Sequence, residues 1–267
     1  MVNRIDDAFR SLSDNQGKAF VAYVCAGDPD IPRSLEVARA LDRAGVDVIE
    51  LGVPFSDPLA DGIVNQMAAQ RALDNGTKVE NVLELVREFR QESATPIVLF
   101  TYLNPIYTYG FEKFHLDAAA AGVDGILNLD LPPDEERENE ELRGASGLKH
   151  IRLIAPTTPD ERILELAASA EGFVYYVSRE GVTGEQQSLA EGIGEQVGKI
   201  KSATAVPVVV GFGISTPEQA AEVARSADGV VVGSAIVKRV AEHGASEDLP
   251  ERVEAFVKPL VDAVKAV

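Results

Sequence analysis

Two acidic side chains stand in one stretch of the chain where their chemistry would be unusual. Glu50 lies near the end of a mainly apolar run, residues 46–51, and Asp61 follows a turn-rich segment directly before Gly62. A carboxylate in an apolar strand end is costly to bury unless it is paired or used. Burial also raises a carboxyl pKa toward neutrality, which suits proton transfer. The stretch therefore indicates acid/base chemistry, with one alternative left open: a Glu50 that is bound to a structural arginine.

Two further acids in this stretch are interpreted differently. Asp47 starts the apolar run that Glu50 ends, so we expect it at the opposite end of the strand, away from any site. Asp57 precedes Pro58 in a turn, and Asp before Pro favours turn initiation.

The elements that must position Glu50 and Asp61 alternate regularly. Short apolar runs are followed by segments with helical apolar spacing, and eight such units fill a chain of 267 residues. Strict alternation implies parallel strands, and eight units of this size predict an α/β fold of the TIM (β/α)8 barrel type. The predicted strands are 19–25, 46–51, 96–101, 125–129, 150–154, 173–177, 207–210 and 229–232.

The predicted helices include three that a minimal barrel does not need. These are an N-terminal helix at 4–13, a helix at 65–73 after strand 2, and a short helix from Ser234 after strand 8. The others are predicted at 35–44, 79–90, 111–121, 134–143, 161–170, 193–201, 217–225 and 249–264. A doubly wound sheet is the alternative, but the turn after its first strand is usually Gly-rich, and AGDPD at 26–30 does not match. Since no linker divides the chain, we expect one domain over 1–267.

The charge and the cysteine content limit the classes of protein to which this chain can belong. The net charge is −18, from 43 acidic and 25 basic residues, which disfavours nucleic acids and anionic membranes as partners. Such an excess repels itself, and molar salt, with a Debye length of ~3 Å, screens it. We therefore predict a halophilic source, the alternative being an ordinary acidic cytoplasmic protein. The single cysteine excludes an internal disulfide, and without an apolar run of membrane or signal-peptide length we expect a cytoplasmic location.

Glycines follow the last two strands and favour a phosphate site. Gly211 and Gly213 follow strand 7, and Gly233 follows strand 8. They allow a ligand close to the backbone, and Ser234 then opens a helix whose free N–H groups suit an anion. The alternative is that these glycines only form tight turns.

Other residue types narrow the reaction. None of the nine lysines ends a strand, which disfavours a Schiff-base aldolase, and the three histidines, His115, His150 and His243, lack metal-ligand spacing. A magnesium ion held by carboxylates stays open as an alternative. Cys25 is interpreted as a packed core thiol. What remains is acid/base chemistry without a metal or cofactor, on a phosphorylated molecule with an apolar part. Aromatic residues predicted near the mouth are Phe55, Tyr102, Tyr175 and Phe212.

The segment ELGVPFSDPLADG at 50–62 resembles the signature of the tryptophan synthase alpha chain family. The resemblance extends over nearly the whole chain. Supporting segments are FVAYVCAGDPD at 20–30, FTYLNPIYTYG at 100–110, SREGVTG at 178–184, GFGIS at 211–215 and GSAIVK at 233–238.

The resemblance implies a TIM-barrel lyase that cleaves indole-3-glycerol phosphate to indole and glyceraldehyde 3-phosphate. Glu50 is then similar to the family's general acid/base, Asp61 to the carboxylate that holds the indole N–H, and Tyr175 to an active-site tyrosine. Thr183 is similar to a residue that bonds Asp61 when a mobile loop closes. The implied substrate and phosphate contacts are Gly184, Phe212, Gly213, Gly233 and Ser234.

The resemblance also implies a partner chain. No cofactor is expected in this chain, because pyridoxal phosphate belongs to the beta chain, with which the family forms an α2β2 heterotetramer. The loops at 53–60 and 101–110 are expected to face that partner. Two residues depart from the family pattern: Ile63 replaces a frequent proline, and Glu180 adds a charge to the mobile loop. The alternatives are a sugar-phosphate isomerase and a non-catalytic barrel that senses phosphate.

Overall fold

The computed structural model describes residues 3–132, 135, 146–178, 186–211 and 213–267. Within these ranges the strands are β1 Ala19–Cys25, β2 Val48–Gly52, β3 Ile97–Thr101, β4 Gly125–Asn128, β5 Lys149–His150, β6 Arg152–Ile154, β7 Val174–Val177, β8 Val208–Gly211 and β9 Gly229–Val232. The helices are α1 Arg4–Asp14, α2 Ile31–Arg43, α3 Ile63–Asp74, α4 Val79–Phe89, α5 Leu103–Tyr109, α6 Phe111–Ala121, α7 Asp160–Ala168, α8 Gln186–Ala203, α9 Pro217–Ala224, α10 Ser234–His243 and α11 Leu249–Lys265.

The strands form one parallel sheet in the order β5-β4-β3-β2-β1-β9-β8-β7-β6. β5 pairs with β4 at one edge, and β6 pairs with β7 at the other. Since only Ile151 separates β5 from β6, the two edges meet in one continuous stretch of chain. The amide of Ile151 also donates to the carbonyl of Ile126 in β4 at 2.9 Å. The sheet is therefore closed, and the predicted TIM barrel is confirmed.

The strands are apolar because both of their faces are covered. Every residue of β1, β2, β8 and β9 is buried. One set of side chains, which includes Val21, Val98 and Val209, forms a cluster inside the barrel. The alternate set, which includes Phe20 and Leu99, packs against the surrounding helices. This alternation fixes which side chains of each strand point into the barrel.

Helix α1 covers the amino end of the barrel, where the strands begin. Asn3 caps the helix by accepting a hydrogen bond from the amide of Ile5 at 2.9 Å. Ile5 and Phe9 are buried, and the ring of Phe9 lies 5.6 Å from that of Phe173. The predicted N-terminal helix is thus confirmed, and it closes the end opposite Glu50.

The predicted extra helices after strands 2 and 8 are also confirmed, as α3 and α10. The prediction that 101–110 is a loop was wrong, because α5 fills most of it. Its third residue is Pro105, and a proline in the first turn removes no helical hydrogen bond.

Some predicted boundaries were wrong. Helix α2 begins at Ile31 rather than 35, because Asp30 accepts a hydrogen bond from the amide of Arg33 and a proline fits its first turn. The predicted strand at 150–154 is divided into β5 and β6, and α8 begins before the predicted 193. The predicted helix at 134–143 lies outside the described residues. The expectation of one domain over 1–267 stays a prediction.

Candidate active site

Three side chains form a layer inside the barrel near its carboxyl end. Tyr23 in β1 stands opposite Glu50 in β2 in the strand register. Because side chains alternate along a strand, these two lie on the same face as Val21 and Val48 of the internal cluster, one layer nearer the carboxyl end. Tyr175 has the same relation to the internal residue Phe173. The barrel thus places a carboxyl group beside two phenols.

A cavity of about 530 Å³ opens above this layer. Its wall joins strand ends from both halves of the chain to the start of α3. The described polar residues of its wall are Tyr23, Glu50, Asn65, Tyr175, Ser178 and Ser234, and the larger apolar ones are Ile63, Val64, Phe100, Val177 and Val231. The described part of the wall contains no lysine. The wall offers an apolar pocket with a few polar groups, which is typical of a small-molecule site.

Glu50 is fully buried in the wall of this cavity. Within the described residues it forms no ion pair, and neither carboxylate oxygen has a hydrogen-bond partner. The alternative of a structural arginine at Glu50 is therefore wrong for the described part of the chain. Burial raises the pKa of Glu50 to about 8. A carboxyl group with this pKa holds a proton near neutral pH and can both donate and take it back.

Asp61 lies between two residues of the cavity wall, Ala60 and Gly62, and is half-buried. The hydroxyl of Tyr102 donates to its carboxylate at 2.8 Å. Burial raises the pKa of Asp61, and the polar side chains of Tyr102 and Asn65 oppose the rise. Asp61 therefore differs from Glu50 in having a donor that favours its charged form.

The two phenols of the site lean over glycines on neighbouring strands. A Cβ atom added to Gly211 would lie 2.5 Å from the hydroxyl oxygen of Tyr175, and the hydroxyl of Tyr23 covers Gly52 in the same way. Any larger residue at these glycines would displace the rings. Burial raises the pKa of both phenols, so they stay protonated and can act as hydrogen-bond donors.

The predicted phosphate contacts that the structure describes lie together on the cavity wall. Gly213 adopts a positive φ of 63°, which favours glycine, and Gly233 precedes α10 without a side-chain cap. The first amides that bond back to Gly233 are those of Ile236 at 2.8 Å and Val237 at 3.0 Å. The amides at the very start of α10 precede these bonds and suit an anion. Thr183, Gly184 and Phe212 lie outside the described residues.

The cavity-wall residues that sequence reasoning missed include Tyr23, Asn65 and Phe100. The signal for Tyr23 and Phe100 was present, because each lies two residues after an internal valine, Val21 or Val98. Asn65 had no such signal, since its position depends on how the loop before α3 folds over the barrel.

The residues set aside as structural have structural surroundings. Asp47 accepts a hydrogen bond from the amide of Phe20 at 2.7 Å and pairs with Lys265 near the amino end. Asp57 is exposed and accepts from the hydroxyl of Ser56 within the turn. Cys25 is a buried free thiol whose pKa is raised by burial, as expected of a core thiol.

Two of the histidines that are distant in sequence are close in space. The rings of His115 and His150 stack with their centroids 6.0 Å apart. Among the residues that the structure describes, no three metal-ligating side chains cluster. In the same part of the chain, no helix combines the length and apolar character that crossing a bilayer requires.

The fold and the site together define a class: a TIM-barrel enzyme with acid/base groups at the carboxyl ends of its strands. Residues 9–265 match the family described as tryptophan synthase alpha chain. A tryptophan synthase alpha chain of Opitutus terrae is 49% identical over 265 residues, covering 99% of this chain and all of that one. The alpha subunit structure from Legionella pneumophila has a TM-score of 0.92 at 37% identity, with full coverage of both chains.

The chain belongs to the tryptophan synthase alpha chain family. This family catalyses the alpha reaction of tryptophan biosynthesis, the cleavage of indole-3-glycerol phosphate to indole and glyceraldehyde 3-phosphate. The enzyme class is therefore a lyase, EC 4.2.1.20. The family has no cofactor of its own, because pyridoxal phosphate is held by the beta chain with which it partners. The resemblance stated from the sequence is confirmed.

Proposed function

We propose that Glu50 and Asp61 divide the alpha reaction between a proton carrier and a fixed negative charge. The observation that carries this proposal is the burial of Glu50 without partners, in the same site as an Asp61 whose carboxylate accepts a hydrogen bond from Tyr102. Two carboxyl groups whose surroundings favour opposite protonation states are the usual basis for separate acid and base roles.

The proposed reaction starts with neutral Glu50. Glu50 donates its proton to C3 of the indole ring, which gives an indoleninium-like intermediate. Asp61 accepts the indole N–H and stabilises the positive charge on the ring. The Glu50 carboxylate then takes the proton of the glycerol hydroxyl while the bond between C3 and the glycerol carbon breaks. Indole and an aldehyde result, and Glu50 is neutral again.

The remaining residues of the site are proposed to bind and position the substrate. Tyr175, whose phenol stays protonated, faces the reacting carbons as a hydrogen-bond donor. The start of α10 offers its amides to the phosphate. We assign the phosphate to Gly184, Phe212, Gly213, Gly233 and Ser234, and assign Thr183 to a hydrogen bond with Asp61 on loop closure.

The experiment that tests these roles incubates the pure protein with indole-3-glycerol phosphate and follows the release of indole. Glu50→Gln preserves the size of the side chain but removes its titration, and we expect a loss of about 10²–10⁴-fold in kcat. Asp61→Asn should also abolish most turnover, because the fixed charge is lost. A Glu50→Gln enzyme that is correctly folded and retains substantial turnover would remove Glu50 from its role.

We further propose that the apolar surface around the cavity mouth binds the beta chain in an α2β2 heterotetramer. Leu59 and Tyr107, in the two segments expected to face the partner, are 92% and 76% exposed. Ile63 and Met67, on α3 beside this region, are also exposed. Large exposed apolar side chains near one another are typical of protein interfaces.

The interface is tested with Leu59→Asp and Tyr107→Asp in a binding assay against a beta chain. Each should weaken the complex, while the alpha reaction of the isolated chain continues. The matched control is Leu164→Asp, because Leu164 is a half-exposed leucine of α7 on the outside of the barrel. Equal weakening by the control would contradict the assignment.

Finally, we propose a cytoplasmic enzyme from a halophilic source. The net charge of −18 supports this, since screening by concentrated salt relieves self-repulsion. Thermal unfolding in increasing KCl tests it. We expect the midpoint temperature of unfolding to keep rising as the KCl concentration increases into the molar range. Equal stability at low and multimolar KCl would exclude the halophilic source.

A further inference from the structure

The side chain of Tyr23 extends across the bottom of the cavity from one strand end to another. Its strand, β1, lies between β9 and β2 in the barrel. A Cβ atom added to Gly233, which follows β9, would lie 3.2 Å from the Cβ atom of Tyr23. A Cβ atom added to Gly52, which ends β2, would lie 2.4 Å from the hydroxyl oxygen of Tyr23. The side chain therefore begins beside Gly233 and ends with its hydroxyl over Gly52.

Packing holds this hydroxyl above the acid/base group. The rings of Tyr23 and Phe100 are in edge-to-face contact, with centroids 5.1 Å apart. Gly52 lies two residues after Glu50 in β2, so it faces the same side of the sheet and stands roughly 7 Å nearer the carboxyl end. The Tyr23 hydroxyl thus lies one layer above Glu50, where the cavity opens.

The Tyr23 hydroxyl has no partner in the described part of the protein. The hydroxyls of Tyr102 and Tyr109 donate to carboxylates, at 2.8 Å and 2.6 Å. No described residue forms such a bond with the hydroxyl of Tyr23, although Tyr23 is only 7% exposed and belongs to the cavity wall. A buried tyrosine hydroxyl usually finds a hydrogen-bond partner. An unpaired one at a substrate cavity therefore indicates a partner that arrives with the substrate.

The two ends of the Tyr23 side chain limit the part of the substrate that it can meet. The phosphate is assigned to the start of α10, beside Gly233, and proton transfer is assigned to Glu50, below Gly52. In indole-3-glycerol phosphate, one carbon separates the reacting carbon from the carbon that bears the phosphate. This middle carbon carries a hydroxyl that takes no part in the cleavage. A substrate that joins the two assigned positions carries this hydroxyl past Tyr23.

We propose that the hydroxyl of Tyr23 donates a hydrogen bond to this non-reacting glycerol hydroxyl, which makes Tyr23 a specificity-determining residue. The inference deepens the proposed function, since it rests on the phosphate at α10 and on proton transfer at Glu50. The contact orients the chain between these two fixed points and so holds the indole ring within reach of the Glu50 proton. A substrate that lacks the hydroxyl leaves the buried phenol unpaired, which disfavours it.

The test is a cycle of two enzymes and two substrates, with kcat/KM for indole release measured for each pair. The enzymes are the wild type and Tyr23→Phe, which keeps the ring and removes the hydroxyl. The substrates are indole-3-glycerol phosphate and the analogue without the non-reacting hydroxyl. Either change alone should lower kcat/KM about tenfold, as one hydrogen bond does. Both changes together should also lower it about tenfold, because the same contact is removed only once.

Tyr175→Phe is the matched control, because Tyr175 also covers a glycine in the cavity wall but is assigned to the reacting carbons. Its effect should be equal on the two substrates. The midpoint of thermal unfolding of Tyr23→Phe should match the wild type, since the hydroxyl that is removed has no described partner in the free protein. Full activity of Tyr23→Phe on the natural substrate, or losses that multiply across the cycle, would overturn the inference.

Glu50→Gln separates a failure of the inference from a failure of the proposed function. If Glu50→Gln is inactive and the losses from Tyr23→Phe and the analogue multiply, the inference alone is wrong. If Glu50→Gln retains turnover while the cycle still shows one shared loss, the role of Glu50 is wrong and the contact with Tyr23 stands.

Discussion

The two ends of the barrel both bury acidic side chains, and they surround them in opposite ways. At the amino end, Asp124 is almost fully buried and is held by Arg4 and Arg90, each at 2.7 Å. It also accepts a hydrogen bond from the amide of Ile97 at 2.8 Å. At the carboxyl end, Glu50 is equally buried, and no residue of the described chain bonds to it.

This difference shows that burial of an acid does not by itself identify a functional group. A buried carboxylate with arginines and amides around it ties segments of the fold together, here α1, α4 and β3. A buried carboxyl without partners is a cost to the fold that is offset elsewhere, and it gains its partner when a ligand binds. The number of partners, more than the depth, separates the two classes of acid.

The largest effect on stability is expected from a substitution of Asp124, at the amino end of the barrel. Asp124→Asn leaves the buried guanidinium of Arg90 without its charge partner, and we expect the free energy of unfolding to fall by about 3–5 kcal/mol. Chemical denaturation measures this change. Molecules of the variant that remain folded should keep the wild-type kcat, since Asp124 lies at the far end from the cavity. A loss of kcat without a loss of stability would break the comparison.

The next largest effect is expected in the pH dependence of stability, which should distinguish the carboxyl end of the barrel from the amino end. The pKa of Glu50 is raised from 4.5 to about 8 in the folded protein, so between these values the folded state holds a proton that the unfolded state has released. Its contribution to stability is therefore present in full below pH 4.5 and is lost as the pH rises through about 8. Glu50→Gln should flatten this part of the stability profile and be more stable than the wild type at alkaline pH.

The same group should set the alkaline limb of activity. The first step needs protonated Glu50, so kcat/KM should decline above about pH 8, where the proton is lost. Stopped assays of indole release over a pH series measure the limb. The pH of this alkaline limb should match the pH range in which Glu50→Gln removes the change in stability. If the two differ widely, a different group carries the proton.

The smallest effect is expected from Asp47, which is at the amino end but less deeply placed than Asp124. Asp47→Asn weakens its pairing with Lys265 and its acceptance of the Phe20 amide. We expect a loss of about 1 kcal/mol in the free energy of unfolding and no change in kcat. A change in kcat as large as that of Glu50→Gln would contradict the assignment of Asp47 to the structural end.

The sequence by itself determined the alternation of strands and helices, apart from α5 and the division of β5 from β6, and the ends of the barrel at which Glu50 and Asp47 lie. These follow from local patterns, because apolar runs and helical spacing depend on neighbours along the chain. For the same reason, the positions of Glu50 and Asp47 at opposite ends of one strand were predictable from where they stand in the apolar run at 46–51. The motif at 50–62 also identified the family, which residues 9–265 confirmed.

Only the tertiary structure decided which polar groups have partners. Whether Glu50 meets an arginine and whether His115 stacks on His150 depend on distant segments that are brought together when the sheet closes at Ile151. Side-chain alternation gives the face on which a residue lies, but it does not give the residues that stand opposite across the barrel. Partners of buried polar groups are set by that closure, and the chemistry of this site is determined by which partners are missing.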